Sequence, residues 1–158
     1  MPPPAGVETI LTPTAAEMLA AADAHADVDV AVFSAAVADY RPSVELAGKR
    51  PKGAAWTLEL EPTVDIARAF GGRKRDGQVL VAFGAELGAE GLERKRAMLE
   101  EKNVDLVVFN DVSRTDIGFD ATENEVVLVS RDGERTVPRA AKAAVAAAIL
   151  DEAERLLR

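Results

Sequence analysis

The sequence predicts an α/β fold: a Rossmann-like, mostly parallel sheet with helices on both faces, followed by a C-terminal β-hairpin and helix. Three observations predict it. The hydrophobic runs at 28–36, 78–86 and 104–112 are nearly continuous rather than alternating, which is how central strands buried on both faces read. Segments of helical spacing lie between and around these runs. Near the end, "EVVLVSRDGERTVP" puts Asp132-Gly133 at the centre of two β-rich stretches, a strong hairpin signal. A length of 158 residues suits one α/β domain (1–158) with a sizeable core.

The elements follow in order. "MPPPAG" is proline-rich, so residues 1–8 read as an extended or disordered lead-in. "VETILTPT" alternates briefly and predicts an incoming strand. Thr14-Ala-Ala-Glu17 matches a capping box, and Ala15, Met18, Leu19 and Ala22 share one face of a helix ending near His25. Val28 to Ala36 is the first buried strand. "WTLELE" (Trp56 to Glu61) alternates, the pattern of a half-exposed strand. Thr63 is the predicted N-cap of a short helix that stops at Gly71. "GGRKRDG" reads as a solvated basic turn. Gln78 to Glu86 is the second buried strand, Glu90 to Lys102 a charged amphipathic helix, and Val104 to Val112 the third buried strand. "GFDATEN" is a polar loop before the hairpin. Pro138 is predicted to open the last helix, where Val145, Ile149, Ala153 and Leu156 recur at helical spacing.

Composition narrows the function. A net charge of -8 argues against the sequence-independent phosphate attraction on which most nucleic-acid binders rely, though it leaves room for a local basic pocket. There is no cysteine, which removes disulfides and thiolate metal sites and fits a reducing compartment. The single His25 reads as a solvated residue at a helix end and leaves no basis for a histidine metal site or a Ser-His-Asp triad. No apolar run is long enough to span a bilayer and no signal-peptide pattern is present, so the cytoplasm is the expected location.

In open α/β sheets, ligands bind beyond the carboxyl ends of the strands. Here the three runs end in Ser34-Ala35-Ala36 leading to Asp39, in Phe83 to Glu86, and in Asn110 to Ser113. Parallel pairing would bring these polar endings to one edge. Thr63-Val64-Asp65-Ile66 adds the open amides of a helix start; they suit a phosphate or base edge, or equally a plain capped helix. Lys49, Arg50 and Lys52 are fixed charges on a loop, either solvated or available to a nucleotide triphosphate. Neither a Walker A motif nor G-x-G-x-x-G is present.

"SAAVADYRP", "GKRPK", "EPTVDIA", "VAFGAE", "KNVDLVVFNDVS" and "GFDATEN" stand in an order and spacing that resembles the phosphopantothenate–cysteine ligases. These are the second half of the bacterial bifunctional coenzyme A biosynthesis flavoprotein, and the likeness runs from about Thr9 to the end. It implies CTP-dependent joining of 4'-phosphopantothenate to L-cysteine through an acyl-cytidylate, with Mg²⁺ assisting the departure of pyrophosphate. It implies that Ser34, Ala35, Asp39, Lys49, Val64, Asp65, Ile66, Ala67, Phe83 and Lys102 meet the nucleotide. Lys49 is also implied to be catalytic in acyl-cytidylate formation, and Ala36, Lys52 and Asn110 are further substrate or site-lining candidates. No metal ligand is assigned.

The sequence departs from the family at two positions. Met98 stands where the family often has a lysine, with Lys95 or Arg96 as stand-ins, and Pro51 interrupts the basic loop. The family's domain also opens with a glycine-rich strand-turn-helix and an Asn/Ser-rich motif, neither of which is in this sequence. The expectation is therefore a fragment holding most of the CTP-contacting surface. The resemblance further implies a homodimer, with the hairpin at Glu125 to Val137 either the interface or an ordinary sheet edge, and a fused or associated flavin-dependent decarboxylase domain. The alternative reading is a non-catalytic nucleotide-binding or assembly module.

Overall fold

The computed structural model describes residues 5–53, 55–113 and 121–158. Its elements are α1 (Ala15–Ala24), β1 (Val30–Phe33), β2 (Tyr40–Pro42), β3 (Leu60–Pro62), α2 (Ile66–Gly71), β4 (Val79–Glu86), α3 (Gly88–Glu101), β5 (Leu106–Asp111), β6 (Glu123–Ser130), β7 (Gly133–Ala141) and α4 (Lys142–Leu157). They form two compact units. One comprises the chain up to His25 with Ala36–Ile66; the other comprises Ala26–Ala35 with Ala67–Arg158.

The second unit is an α/β sheet in the order β1-β4-β5-β6-β7. β1, β4 and β5 are parallel; β5, β6 and β7 are antiparallel. Alternation sorts its side chains onto two faces. Val79, Val81, Leu106, Val108, Val126 and Leu128 pack against Val145, Ile149 and Ala153 of α4. The intervening residues point the other way, where Gly91 of α3 lies against the ring of Phe109, and Phe33 meets Phe70 of α2 edge-on at 5.3 Å. Helices therefore cover both faces. Leu80, Val81, Leu106, Val107 and Val108 are fully buried, each contributing roughly 1.5–3 kcal/mol by leaving water.

Polar anchors set the amino edge of this sheet. The buried Gln78 amide donates to the carbonyls of Ala26 (3.0 Å) and Val28 (2.6 Å), fixing the approach to β1. Asp105 accepts from the Leu80 amide at 2.7 Å and pairs with Lys74. Arg75 pairs with Asp27 at 2.7 Å. The basic turn is thus largely committed within the unit rather than simply solvated. Gly71 ends α2 against the carbonyl of Lys102, which a Cβ would meet at 1.8 Å. Asn103, in the left-handed region at φ 51, donates from Nδ2 to the Gly71 carbonyl at 2.8 Å.

Several local expectations are corrected. The run 28–36 yields only Val30–Phe33, an edge strand that pairs with β4 alone among the described residues, and Val32 is 46% exposed. A hydrophobic run reports burial propensity but not the number of neighbours. "VETILTPT" forms no strand. "WTLELE" contributes only its end to β3, in a two-stranded ribbon with β2. Pro138 lies inside β7, near the irregularity where the β6–β7 register shifts between Asn124 and Val126, and α4 begins at Lys142. An edge strand tolerates a residue without an N–H. The hairpin loop is Arg131-Asp132, because Ser130 pairs with Gly133. The first part of "GFDATEN", Gly118 to Asp120, lies outside the described residues.

The first unit holds α1 and the β2–β3 ribbon. The capping box is present: the Thr14 hydroxyl accepts from the Glu17 amide at 3.2 Å, and the Glu17 carboxylate accepts from the Thr14 amide at 2.9 Å. His25 is the exposed C-cap.

Candidate functional site

Parallel pairing brings the predicted strand endings of the second unit to one edge. Phe33 pairs with Ala82, so Ser34 and Ala35 leave β1 level with Phe83. β4 runs on beyond that point paired, among the described residues, only with β5, through Phe83–Val108 and Ala85–Asn110. Ser34 and Ala35 are exposed and Phe83 is 37% exposed. The edge is therefore stepped: β1 stops early, and the ends of β4 and β5 stand out past it with an aromatic ring at the step.

Asp111 fastens this edge to α3 by accepting from the Gly88 amide at 3.0 Å and the Ser113 amide at 2.9 Å. Lys102 is not brought to the same edge. It follows α3, which starts at the carboxyl end of β4 and returns to the start of β5.

In the first unit, Asp39, Val64 and Asp65 are neighbours. The Thr63 amide donates to the Asp39 carbonyl at 2.8 Å and the Thr63 hydroxyl donates to the Ala38 carbonyl. Thr63 is thus not an N-cap. Its hydroxyl is spent on the 38–39 turn, and α2 begins at Ile66 with Asp65 in the preceding position. Sequence cannot separate these two uses of a threonine hydroxyl. Val64 is exposed, whereas Ile66 and Ala67 are buried and offer a ligand only their backbone. Ala36 is exposed. Lys49 and Lys52 lie on the loop after β2, are exposed, and have no ion-pair partner among the described residues. Between them, the Arg50 guanidinium lies 4.2 Å from the Trp56 ring centroid.

The departures from the family pattern have structural consequences. Met98 is 7% exposed on the buried side of α3. Arg96 is bound to Glu134 and Glu93. Lys95 is buried, with Nζ 2.8 Å from Glu86 Oε1, and its stem covers Gly84 so closely that a Cβ there would meet Lys95 Cε at 2.5 Å. Hydrogen bonds from Lys95 and then Arg94 hold the Glu86 carboxyl below its ordinary range. Both stand-ins are thus engaged in intramolecular ion pairs.

One further residue joins the edge without any signal in the sequence: Asn124. Its side-chain carbonyl oxygen, like that of Asn110, is buried without a hydrogen-bond partner. Among the described residues no group of three or more His, Cys, Asp or Glu side chains could hold a metal ion. Likewise, no described helix is long and apolar enough to cross a membrane.

Known proteins resemble this chain in sequence and fold. Residues 1–157 match the family described as the DNA/pantothenate metabolism flavoprotein C-terminal domain. The coenzyme A biosynthesis bifunctional protein CoaBC of Bacillus subtilis is 40% identical over 127 residues, 78% of this chain and 30% of that protein. CoaBC of Thermococcus kodakarensis is 38% identical over 132 residues, 82% of this chain and 32% of that protein. A solved C-terminal domain of CoaBC superposes with a TM-score of 0.78 at 34% identity, covering 99% of this chain and 69% of that one. The chain spans about a third of the length of these curated relatives.

Proposed function

Because the chain belongs to the DNA/pantothenate metabolism flavoprotein C-terminal domain family, we propose that it carries the CTP-contacting part of a phosphopantothenate–cysteine ligase in coenzyme A biosynthesis. The observation that carries this reading is the stepped carboxyl edge, where Ser34, Ala35, Phe83 and Asn110 converge on parallel strand ends. Such edges bind nucleotides in open α/β sheets.

A free carboxylate is a poor electrophile. In the proposed reaction an oxygen of the 4'-phosphopantothenate carboxylate attacks the α-phosphorus of CTP and pyrophosphate leaves. The amine of L-cysteine then attacks the acyl carbon, loses a proton and displaces CMP. The chain's tasks are to hold the partners in register and to offset phosphate charge. Lys49 and Lys52, exposed and unpaired among the described residues, supply that charge, with Lys49 the catalytic candidate. The Asp39 turn, pinned by Thr63, and the exposed Val64 offer a preformed contact for the nucleotide. Phe83 presents a ring to the base or ribose. Lys102, at the other edge, is assigned no contact.

Mg²⁺ is commonly held by one or two carboxylates together with substrate phosphates. In this reading Mg²⁺ would come with the triphosphate and would offset charge on the departing pyrophosphate.

The homodimer in this reading is assigned to the first unit, where Tyr40, Val44, Leu46, Trp56, Leu58 and Leu60 are exposed. Apolar surface of this extent commonly marks an interface. The hairpin is the weaker choice, because Val126, Leu128 and Val129 are buried within the chain. Light scattering after size exclusion measures the oligomeric state. Calorimetric titration with CTP, with and without Mg²⁺, tests the central claim: saturable binding is expected, and no heat at millimolar CTP rejects a competent site in this chain.

A further inference from the structure

Asn110 and Asn124 are the two described residues whose buried side-chain oxygens lack a hydrogen-bond partner. Neither oxygen is bonded to the other asparagine. Both lie on the α4 face of the sheet. Asn110 follows Val108 by two residues on β5, and Asn124 precedes Val126 by two on β6; Val108 and Val126 both belong to the core beneath α4. Alternate residues of a strand share a face. Asn124 is also opposite Ala140, which packs against the same core. On that face, β4 places Phe83 two residues after the core residue Val81, and Ala85 beside Asn110. One face of the carboxyl edge thus carries a part-exposed ring on β4 and, on the neighbouring β5 and the β6 beyond it, two acceptors without a partner. Native proteins satisfy nearly all buried acceptors, so each side-chain exception calls for an explanation, a ligand group among them.

We infer that Asn110 and Asn124 form a paired acceptor for an amine group of the ligand, each carbonyl oxygen taking one N–H. This deepens the nucleotide reading and rests on it for the identity of the amine. A cytosine ring against Phe83 presents an exocyclic amine with two N–H donors, whereas uracil presents a carbonyl at the same position and would set acceptor against acceptor. The amine of the amino-acid substrate offers the same donors from a second source. The pair therefore acts as a specificity determinant rather than as a part of the bond-making machinery.

The test follows the side-chain amide signals of Asn110 and Asn124 by ¹⁵N NMR on the full chain during separate additions of CTP, UTP and cysteine. Calorimetry of CTP and UTP binding runs alongside, for the chain and for Asn110→Ala and Asn124→Ala. CTP is expected to shift both signals and UTP to shift neither. The CTP preference, roughly 10- to 100-fold for a well-placed pair of hydrogen bonds, should collapse towards unity in either variant. Asn124→Asp, which keeps the acceptors, should retain part of the preference and controls for folding.

Cysteine shifting both signals while CTP does not would keep the amine acceptor and assign it to the amino acid. If CTP binds by calorimetry while neither ligand moves either signal, this inference is overturned and the nucleotide reading stands. If neither ligand binds nor shifts them, both are overturned.

Discussion

The two compact units use their side chains in opposite ways. In the unit built on the five-stranded sheet, Leu80, Val81 and Leu106 are sealed from solvent, and the cations Lys74, Lys95 and Arg96 are each tied to a carboxylate. In the unit holding β2 and β3, large apolar residues such as Trp56 (57% exposed) and Leu60 (54%) face solvent, and Lys49 and Lys52 are exposed and unpaired among the described residues. One region directs its chemistry inward, to its own stability. The other leaves its chemistry available to molecules outside it, the usual division between scaffold and functional loop.

Truncation tests this contrast most strongly. Leu106→Ala opens a cavity among fully buried neighbours and is expected to cost about 2–5 kcal/mol in urea unfolding. Leu11→Ala, removing the same atoms from a position of the other unit that is 87% exposed, should stay within about 0.5 kcal/mol. Equal costs would end the contrast.

The second test reverses the sign. In a full-length protein containing this chain, Lys49→Ala should slow acyl-cytidylate formation roughly 100-fold in single turnover while leaving the unfolding midpoint unchanged. A shifted midpoint with intact chemistry would make Lys49 part of the scaffold.

A smaller effect is expected at the Asp39 turn. Thr63→Val removes the hydroxyl donor to Ala38 and should weaken the local structure by about 1 kcal/mol. Hydrogen exchange at the Thr63 amide would read this, with protection in β4 and β5 unaltered.

The smallest effect is an acid limb. The Glu86 carboxyl is held below its ordinary 4.5 by Lys95 and Arg94. Its contribution is therefore complete above about pH 4.5 and is lost as pH falls through the lowered folded value. Glu86→Gln should flatten that limb of the stability profile and leave neutral-pH nucleotide binding intact.

The more strongly a segment was determined by its own pattern, the more legible it was. β4, β5, α3 and the hairpin strands could be read because a long apolar run or a clear amphipathic period leaves few alternatives. The first run was also apolar, yet it became a short edge strand, since neighbours are a property of the whole sheet. Thr63 and Pro138 each carried a helix-start signal that tertiary contacts overrode: the hydroxyl went to Ala38, and the proline found room in an edge strand. At the site, Ser34, Phe83 and Asn110 were legible as strand endings because parallel pairing collects such endings. Asn124 was not, because an unused acceptor is visible only once every possible partner has been placed around it.

Pro138 has one more consequence. β7 is the outermost strand on its side of the sheet, and there it carries a residue with no N–H, beside a register irregularity and the exposed Arg139. A free strand edge is a template for self-association, and a missing donor, a local twist and a charge each spoil it. That side of the sheet is thereby poorly suited to recruiting another chain.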